Sequence, residues 1–404
     1  MMHASGRRPR NILVITYWAY ADALVQTYTL PYVRLMLKAL PAGSKVHLVT
    51  LEKPGAIAPL AAEPGVVPFP FRYRSLGAGG FGMILSLTWH LLKLVRREKV
   101  DTVHVWCTPA GMIGYLLSLL TGRPLVIDSY EPHAEAMVEN GTWKRGGIAH
   151  RVLFLFEGLQ TRRAKVLIAA TEGMRDYARR KYGNTNARWF VKPACVDTDR
   201  FSERKIKRPE LLRELGLQGK IVALYAGKFG GIYLYNEVFE LLKAARDRWG
   251  EELRVLLLTS HTMEELGPVI DKAGLDRRIF MIRWVPHTEV PDLMGLADFA
   301  ITPVKPVPTK RYCTPVKDGE YWALGLPVII TAGISDDSGI IAERRIGSVL
   351  ERLDRSGYDQ AVREIGALLD GVPRRELHER IRAVALEYRG FDRAERIYAD
   401  IYGN

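Results

Sequence analysis

Cysteine is scarce in this chain, and the little there is cannot form a scaffold. Cys107, Cys195 and Cys313 are widely spaced, odd in number and without a CxxC pair. That excludes a disulfide framework and a structural zinc site, and it points to a reducing compartment. Long apolar runs are missing as well. The greasiest stretch, residues 81–95, is interrupted by His90 and Lys93, so no segment is long and apolar enough to span a bilayer. There is no long basic run with interleaved aromatics, which argues against nucleic acid as a partner. No short internal repeat is visible. The glycine-rich stretch at 227–231 matches neither GxGxxG nor a Walker loop, because no GK[ST] follows it.

What is present fits two ordinary domains, since 404 residues exceed one core. The formal net charge of +13 suits anionic partners such as acidic headgroups or phosphorylated substrates, without choosing between them. The start, with its arginines and a short apolar run, mimics an export signal. Asp22 closes that run early, and a basic tail followed by a first strand is expected instead.

Strand-like and helix-like segments alternate along the chain. The continuous apolar run at 12–16 reads as a central parallel strand, and further strands are expected at 45–50, 66–70, 102–106, 124–127 and 166–170. Helical patterns lie between them, at 28–40, 81–97, 109–121, 148–165 and 171–182. The strand at 124–127 ends on Asp128. After the segment VKPACVDTDRF at 191–201 the pattern restarts, with strands at 221–226, 253–258, 279–285, 299–302 and 328–330. Helices are expected at 237–249, 261–272 and 289–296, and the tail from 374 to 403 reads as largely helical. This is a doubly wound α/β pattern, repeated, with a hinge near 193–210. Open sheets of this kind bind ligands at the carboxyl ends of their strands, so the space between two such domains is the expected site.

One stretch concentrates the chemistry: TPVKDGEYWALGLPVIIT, residues 314–331. Thr314-Pro315 opens a turn, Lys317 to Leu324 reads as a short helix, Gly325 caps it, and Val328-Ile329-Ile330 forms a buried strand. Lys317 and Glu320 thus lie near a helix start, where free N–H groups attract phosphate.

The ordered set Gly227-Lys228, Val285-Pro286 with Ala297-Asp298, and Lys317-Asp318-Gly319-Glu320-Tyr321 with Gly325-Leu326-Pro327-Val328-Ile329 resembles the donor domain of family 4 glycosyltransferases. Pro193-Ala194-Cys195-Val196-Asp197 with Phe201 resembles that family's interdomain P-x-G-V-D-x-x-x-F segment. The resemblance implies the GT-B fold, two Rossmann-like doubly wound domains facing across a cleft. Residues 1–195 would bind acceptor, 196–385 would bind donor, and 386–404 would form a helix packing back on the first domain. It also implies retaining transfer of a sugar from a nucleotide diphosphate-sugar, UDP- or GDP-linked, to a glycan or polyprenyl-linked acceptor. No metal and no cofactor are expected. The implied setting is cytoplasmic, with an anionic membrane surface as a further partner and cell-surface polysaccharide synthesis as the context.

On the same basis Glu320 corresponds to the second glutamate of E-x7-E and would accept from the donor ribose hydroxyls. The first glutamate is replaced by Tyr312. Lys228 stands where the family carries a basic residue for the diphosphate, while the lysine that usually follows is Tyr233 here; Lys317 is the candidate replacement. Gly227, Arg283 and Val285 complete the expected donor contacts. His133 is the candidate beside the donor sugar, and Asp22, Asp128 and Glu131 are candidate acceptor contacts. The glycine-rich loop after the first strand is replaced by YWAYADALVQ. Asp197-Thr198-Asp199 has the form of a metal-binding DxD, but its place in the linker makes it a turn. Two rival functions share these residues. One is a nucleotide-sugar epimerase using the carboxylates and histidine at 128–133. The other is a non-catalytic nucleotide-sugar-binding partner, given the missing glutamate and the half-missing phosphate clamp.

Overall fold

The structure is a computed structural model and describes residues 8–22, 24–53, 63–74 and 78–403. The first seven residues of the basic tail, and Ala23 within the loop after the first strand, lie outside the described residues. The chain divides into two compact units, residues 1–193 with 392–404, and residues 194–391.

The first unit is built on a seven-stranded parallel sheet. Its strands are β1 (Asn11–Ile15), β2 (Lys45–Glu52), β3 (Val66–Arg72), β4 (Thr102–Trp106), β5 (Leu125–Tyr130), β6 (Val166–Ala169) and β7 (Arg188–Val191), in spatial order β3-β2-β1-β4-β5-β6-β7. The central strands β1 and β4 are buried along nearly their whole length because both faces are covered. β3 is one of the two edge strands, and all of its residues are partly covered or exposed. It tolerates Pro68 and Pro70 because a prolyl nitrogen at an edge forfeits little. The helices are α1 (Leu30–Ala39), α2 (Ala78–Arg97), α3 (Cys107–Thr121), α4 (His133–Glu139), α5 (Ile148–Arg163) and α6 (Met174–Tyr182).

Several boundaries differ from the sequence expectation. β5 continues two residues past Asp128 to Tyr130, through a register shift that leaves Ser129 at φ 49°. α1 is preceded by a π-helical turn, Val25–Thr29, rather than starting as one regular helix. α6 begins at Met174, not Thr171. α4 and β7 have no counterpart among the expected segments. They are short, and their patterns are too brief to be periodic.

The second unit holds a six-stranded parallel sheet in the order β10-β9-β8-β11-β12-β13. The strands are β8 (Ile221–Ala226), β9 (Leu253–Leu258), β10 (Phe280–Arg283), β11 (Phe299–Thr302), β12 (Val328–Thr331) and β13 (Gly347–Leu350). Around it run α7 (Pro209–Glu214), α8 (Asn236–Trp249), α9 (Met263–Lys272), α10 (Val290–Met294), α11 (Val316–Ala323), α12 (Asp337–Arg344), α13 (Arg355–Gly371) and α14 (Arg374–Arg389). α15 (Phe391–Tyr402) carries the chain back into the first unit. There Tyr398 and Tyr402 are buried.

Candidate active site

β8 is a buried strand that runs out into Gly227, whose φ of 143° is a conformation side chains rarely adopt. A Cβ at this position would stand 2.5 Å from the Lys317 Nζ and 3.2 Å from the Tyr225 hydroxyl. The glycine therefore makes room for the amine. Lys317 projects from the first turn of α11, and its Nζ lies 4.8 Å from the centroid of Tyr225 and 4.3 Å from that of Tyr233. The nitrogen is buried and has no hydrogen-bond partner among the described residues. Burial lowers its pKa to about 8, against the pull of Asp318 and Glu320. A buried ammonium without an acceptor is costly, and two ring faces offset only part of that cost. An anion beside the amine would complete the cage.

The loop is held from several directions. The Ala226 N–H donates to the Tyr321 hydroxyl at 3.0 Å, Gly227 N–H donates to the Leu258 carbonyl at 2.9 Å, and the Tyr225 hydroxyl donates to the Lys228 carbonyl. Tyr225 and Phe229 pack edge to face, with centroids 4.8 Å apart. Lys228 itself is exposed beyond this loop.

Glu320 follows Lys317 on α11 and keeps only 13% of its side chain exposed. Its Oε1 lies 3.4 Å from the Nε2 of His287, a residue the sequence reading did not single out. His287 belongs to the segment after β10, and Arg200 donates to its carbonyl. Arg283 is exposed at the end of β10, where its carbonyl accepts from Thr259 N–H at 2.9 Å, and Val285 is half-buried nearby in the chain. Tyr312, at the place of the missing glutamate, is buried.

Beneath this surface a buried polar network fixes the start of α11. Asp318 accepts from the Thr302 hydroxyl. Burial, then the neighbouring Asp337 carboxyl, push the Asp318 pKa well above its ordinary value. Asp337 is also raised, by burial, and pairs with the Arg389 guanidinium. Two buried carboxyls beside one guanidinium disfavour double ionisation, which is why both are raised. Arg389 also donates to the carbonyls of Ala194 at 2.8 Å and Pro315 at 3.2 Å. The turn at Pro315 is therefore tied to the far end of α14.

In the first unit, Asp22 is half-buried, and its Oδ1 accepts from Leu24 N–H at 2.9 Å. Glu131 and His133 are half-buried after β5, with His133 as the first residue of α4. That start is anchored by Glu157, whose carboxylate accepts from Ala134 N–H at 2.9 Å, Thr108 at 3.0 Å and Tyr182 at 2.8 Å. Burial raises the Glu157 pKa to about 7. The assignment of Asp128 as an acceptor contact needs correction. Asp128 is fully buried, 3.1 Å from Lys192 Nζ and 2.6 Å from the donating Tyr398 hydroxyl. Burial works against its ionisation, yet Lys192 and His104 hold its pKa at about 2. It is an internal ion-pair partner. Asp197 forms the expected turn, its Oδ1 accepting from the N–H of Asp199 and Arg200.

Residues 29–195 match the family model described as a glycosyl transferase 4-like domain. Over nearly the whole chain the fold is that of solved GT-B glycosyltransferases. Sucrose-phosphate synthase from Thermosynechococcus elongatus aligns at 14% identity over 97% of this chain and 98% of that one, with a TM-score of 0.73. WaaG, a glycosyltransferase involved in lipopolysaccharide biosynthesis, aligns at 16% identity over 96% and 99%, with a TM-score of 0.70. The chain has the GT-B fold. HepE of Anabaena, solved in complex with UDP, aligns at 13% identity over 97% and 99%, with a TM-score of 0.69. A sequence search of curated proteins returns no match. In this chain the Lys317 cage, Glu320 and the Gly227 loop lie together in the second unit. Asp22, Glu131 and His133 lie after strands of the first.

Proposed function

We propose that the chain is a retaining glycosyltransferase. It would move a sugar from a nucleotide diphosphate-sugar to a hydroxyl of a glycan or polyprenyl-linked acceptor, in cell-surface polysaccharide or glycoconjugate synthesis. The observation that carries this reading is the buried, unpartnered Lys317 amine beneath Gly227, three residues before Glu320. A diphosphate lying on the Gly227 loop would give that amine its missing partner. Lys228 would meet the same anion from the exposed side. Charge on the departing nucleotide diphosphate would then be stabilised by two cations and loop N–H groups, with no metal ion required. Glu320, steadied by His287, would accept from the ribose hydroxyls, and the backbone at Arg283 and Val285 would flank the base. The UDP and UDP-glucose complexes of HepE support a UDP-linked donor. His133, held at the start of α4 by Glu157, would orient the sugar, with Glu131 and Asp22 toward the acceptor.

The test is a thermal-shift panel of UDP, GDP, ADP and CMP on wild type, Glu320→Ala and Lys317→Met. One diphosphate is expected to raise the wild-type Tm and leave both variants unmoved. No shift in the wild type, or equal shifts in all three, would remove the donor assignment.

A further inference from the structure

Apolar side chains on the surface of the first unit are not scattered. Of the twelve large hydrophobics most exposed among the described residues, seven lie on α2, α3 and α5. The crossovers β3 to β4, β4 to β5 and β5 to β6 all advance in one direction across the sheet. Right-handed connections then place their helices on one face, and α3 packs against both α2 and α5. α2 presents Leu85 and Trp89, the latter 60% exposed, at a spacing of four. Lys93 continues that stripe, its Nζ 5.1 Å from the Trp89 ring. α3 ends on exposed Leu119 and Leu120. α5 shows Ile148, Val152 and Leu155, the first of them 84% exposed. Singly exposed leucines need no explanation, but seven exposed apolar side chains on three neighbouring helices of one sheet face do.

Charge selects the occupant. The three helices carry six basic residues (Lys93, Arg96, Arg97, Arg151, Arg162 and Arg163), all exposed. Their one acid is Glu157, which is fully buried. Basic residues in a last turn also suit the helix dipole, but that leaves Lys93, Arg151 and the absence of any exposed acid unexplained. Leucine, tryptophan and isoleucine framed by lysine and arginine is the composition of a surface that lies in a headgroup layer. No helix among the described residues is long and apolar enough to cross a membrane.

We propose that the outward face of α2, α3 and α5 docks on an anionic phospholipid bilayer. The apolar side chains enter the boundary of headgroups and acyl chains, and the basic ones meet lipid phosphates. This deepens the polyprenyl-linked acceptor reading, on which it rests for the bilayer as partner.

Vesicle flotation of the full chain tests it, with phosphatidylcholine alone and mixed with phosphatidylglycerol. Wild type is expected to bind the mixed vesicles and not the neutral ones. Lys93→Glu/Arg96→Glu should weaken binding by about tenfold or more, near the sum expected for two surface cations. Leu85→Ser/Trp89→Ser should weaken it as well, at every phosphatidylglycerol fraction that the wild type binds. Both variants should keep the wild-type Tm and its nucleotide shift, which separates a failed docking face from a failed donor site. Binding indifferent to lipid charge, or unchanged in either variant, would overturn the proposal. So would a wild-type dimer in sedimentation that Leu85→Ser/Trp89→Ser converts to monomer, because a second copy would then cover the face.

Discussion

Lys317 concentrates the chemistry of the second unit in a single amine. Its neighbours are Tyr225 and Tyr233 by ring contact and Asp318 and Glu320 by charge. An arginine would not substitute, because a planar fork needs more room than the space left by Gly227. Lys317→Met and Lys317→Arg are both expected to weaken nucleotide diphosphate binding by tenfold or more in calorimetric titration. The pH dependence has a definite sign. The free amine has a pKa of about 8, and a bound dianion raises it, so binding takes up protons near that pH. Affinity should be flat below about pH 8 and fall above it. Titrations at pH 8 in two buffers of different ionisation enthalpy should differ by an uptake of about half a proton, and identical enthalpies would sink the assignment. Asp128 makes the opposite kind of prediction. Its folded pKa is depressed from 3.8 to about 2, so its contribution to stability is complete above the unfolded value and lost as pH falls through the folded one. Asp128→Asn should therefore flatten acid unfolding across that window, followed by circular dichroism.

At the scale of elements, the donor site depends on how α11 is pinned to its neighbours. Its first turn is tied through Asp318 to β11, through Asp337 to α12 and through Arg389 to the end of α14. Its middle is tied through Tyr321 to the end of β8. Arg389→Met leaves a buried carboxylate without its partner and should cost about 3–5 kcal/mol in urea unfolding. Adding Asp337→Asn should recover part of that loss, since the orphaned charge is then removed. Gly227→Ala combines a strained φ with a clash against the Lys317 amine. It is expected to lose the nucleotide-induced thermal shift, with a stability cost of about 1–3 kcal/mol.

At the scale of the whole molecule, each unit has its own sheet, and the C-terminal helix completes the first. Tyr398 donates to Asp128, and the Tyr402 hydroxyl lies 2.7 Å from His104 Nδ1. Deleting residues 392–404 would leave the Asp128–Lys192 pair open to water and remove two buried tyrosines. Scanning calorimetry should then lose or lower the transition of the first unit. The transition that the nucleotide raises should persist, because every residue assigned to the nucleotide diphosphate lies between 194 and 391.

The sequence by itself determined the alternation of strands and helices, since parallel strands buried on both faces are continuous apolar runs whatever surrounds them. It also determined the left-handed glycine at 325, and it placed Lys317 and Glu320 on one short helix. Such signals are carried by residues close together in the chain. Tertiary structure decided the rest, because the partners involved are remote. Arg389 lies 52 residues from Asp337, and Tyr398 lies 270 from Asp128. The pattern that marked Asp128 as a loop acid could not reveal the lysine and tyrosine that bury it. Nor could hydropathy tell a leucine facing the sheet from one facing outward on α2, α3 and α5, because both satisfy the same helical period.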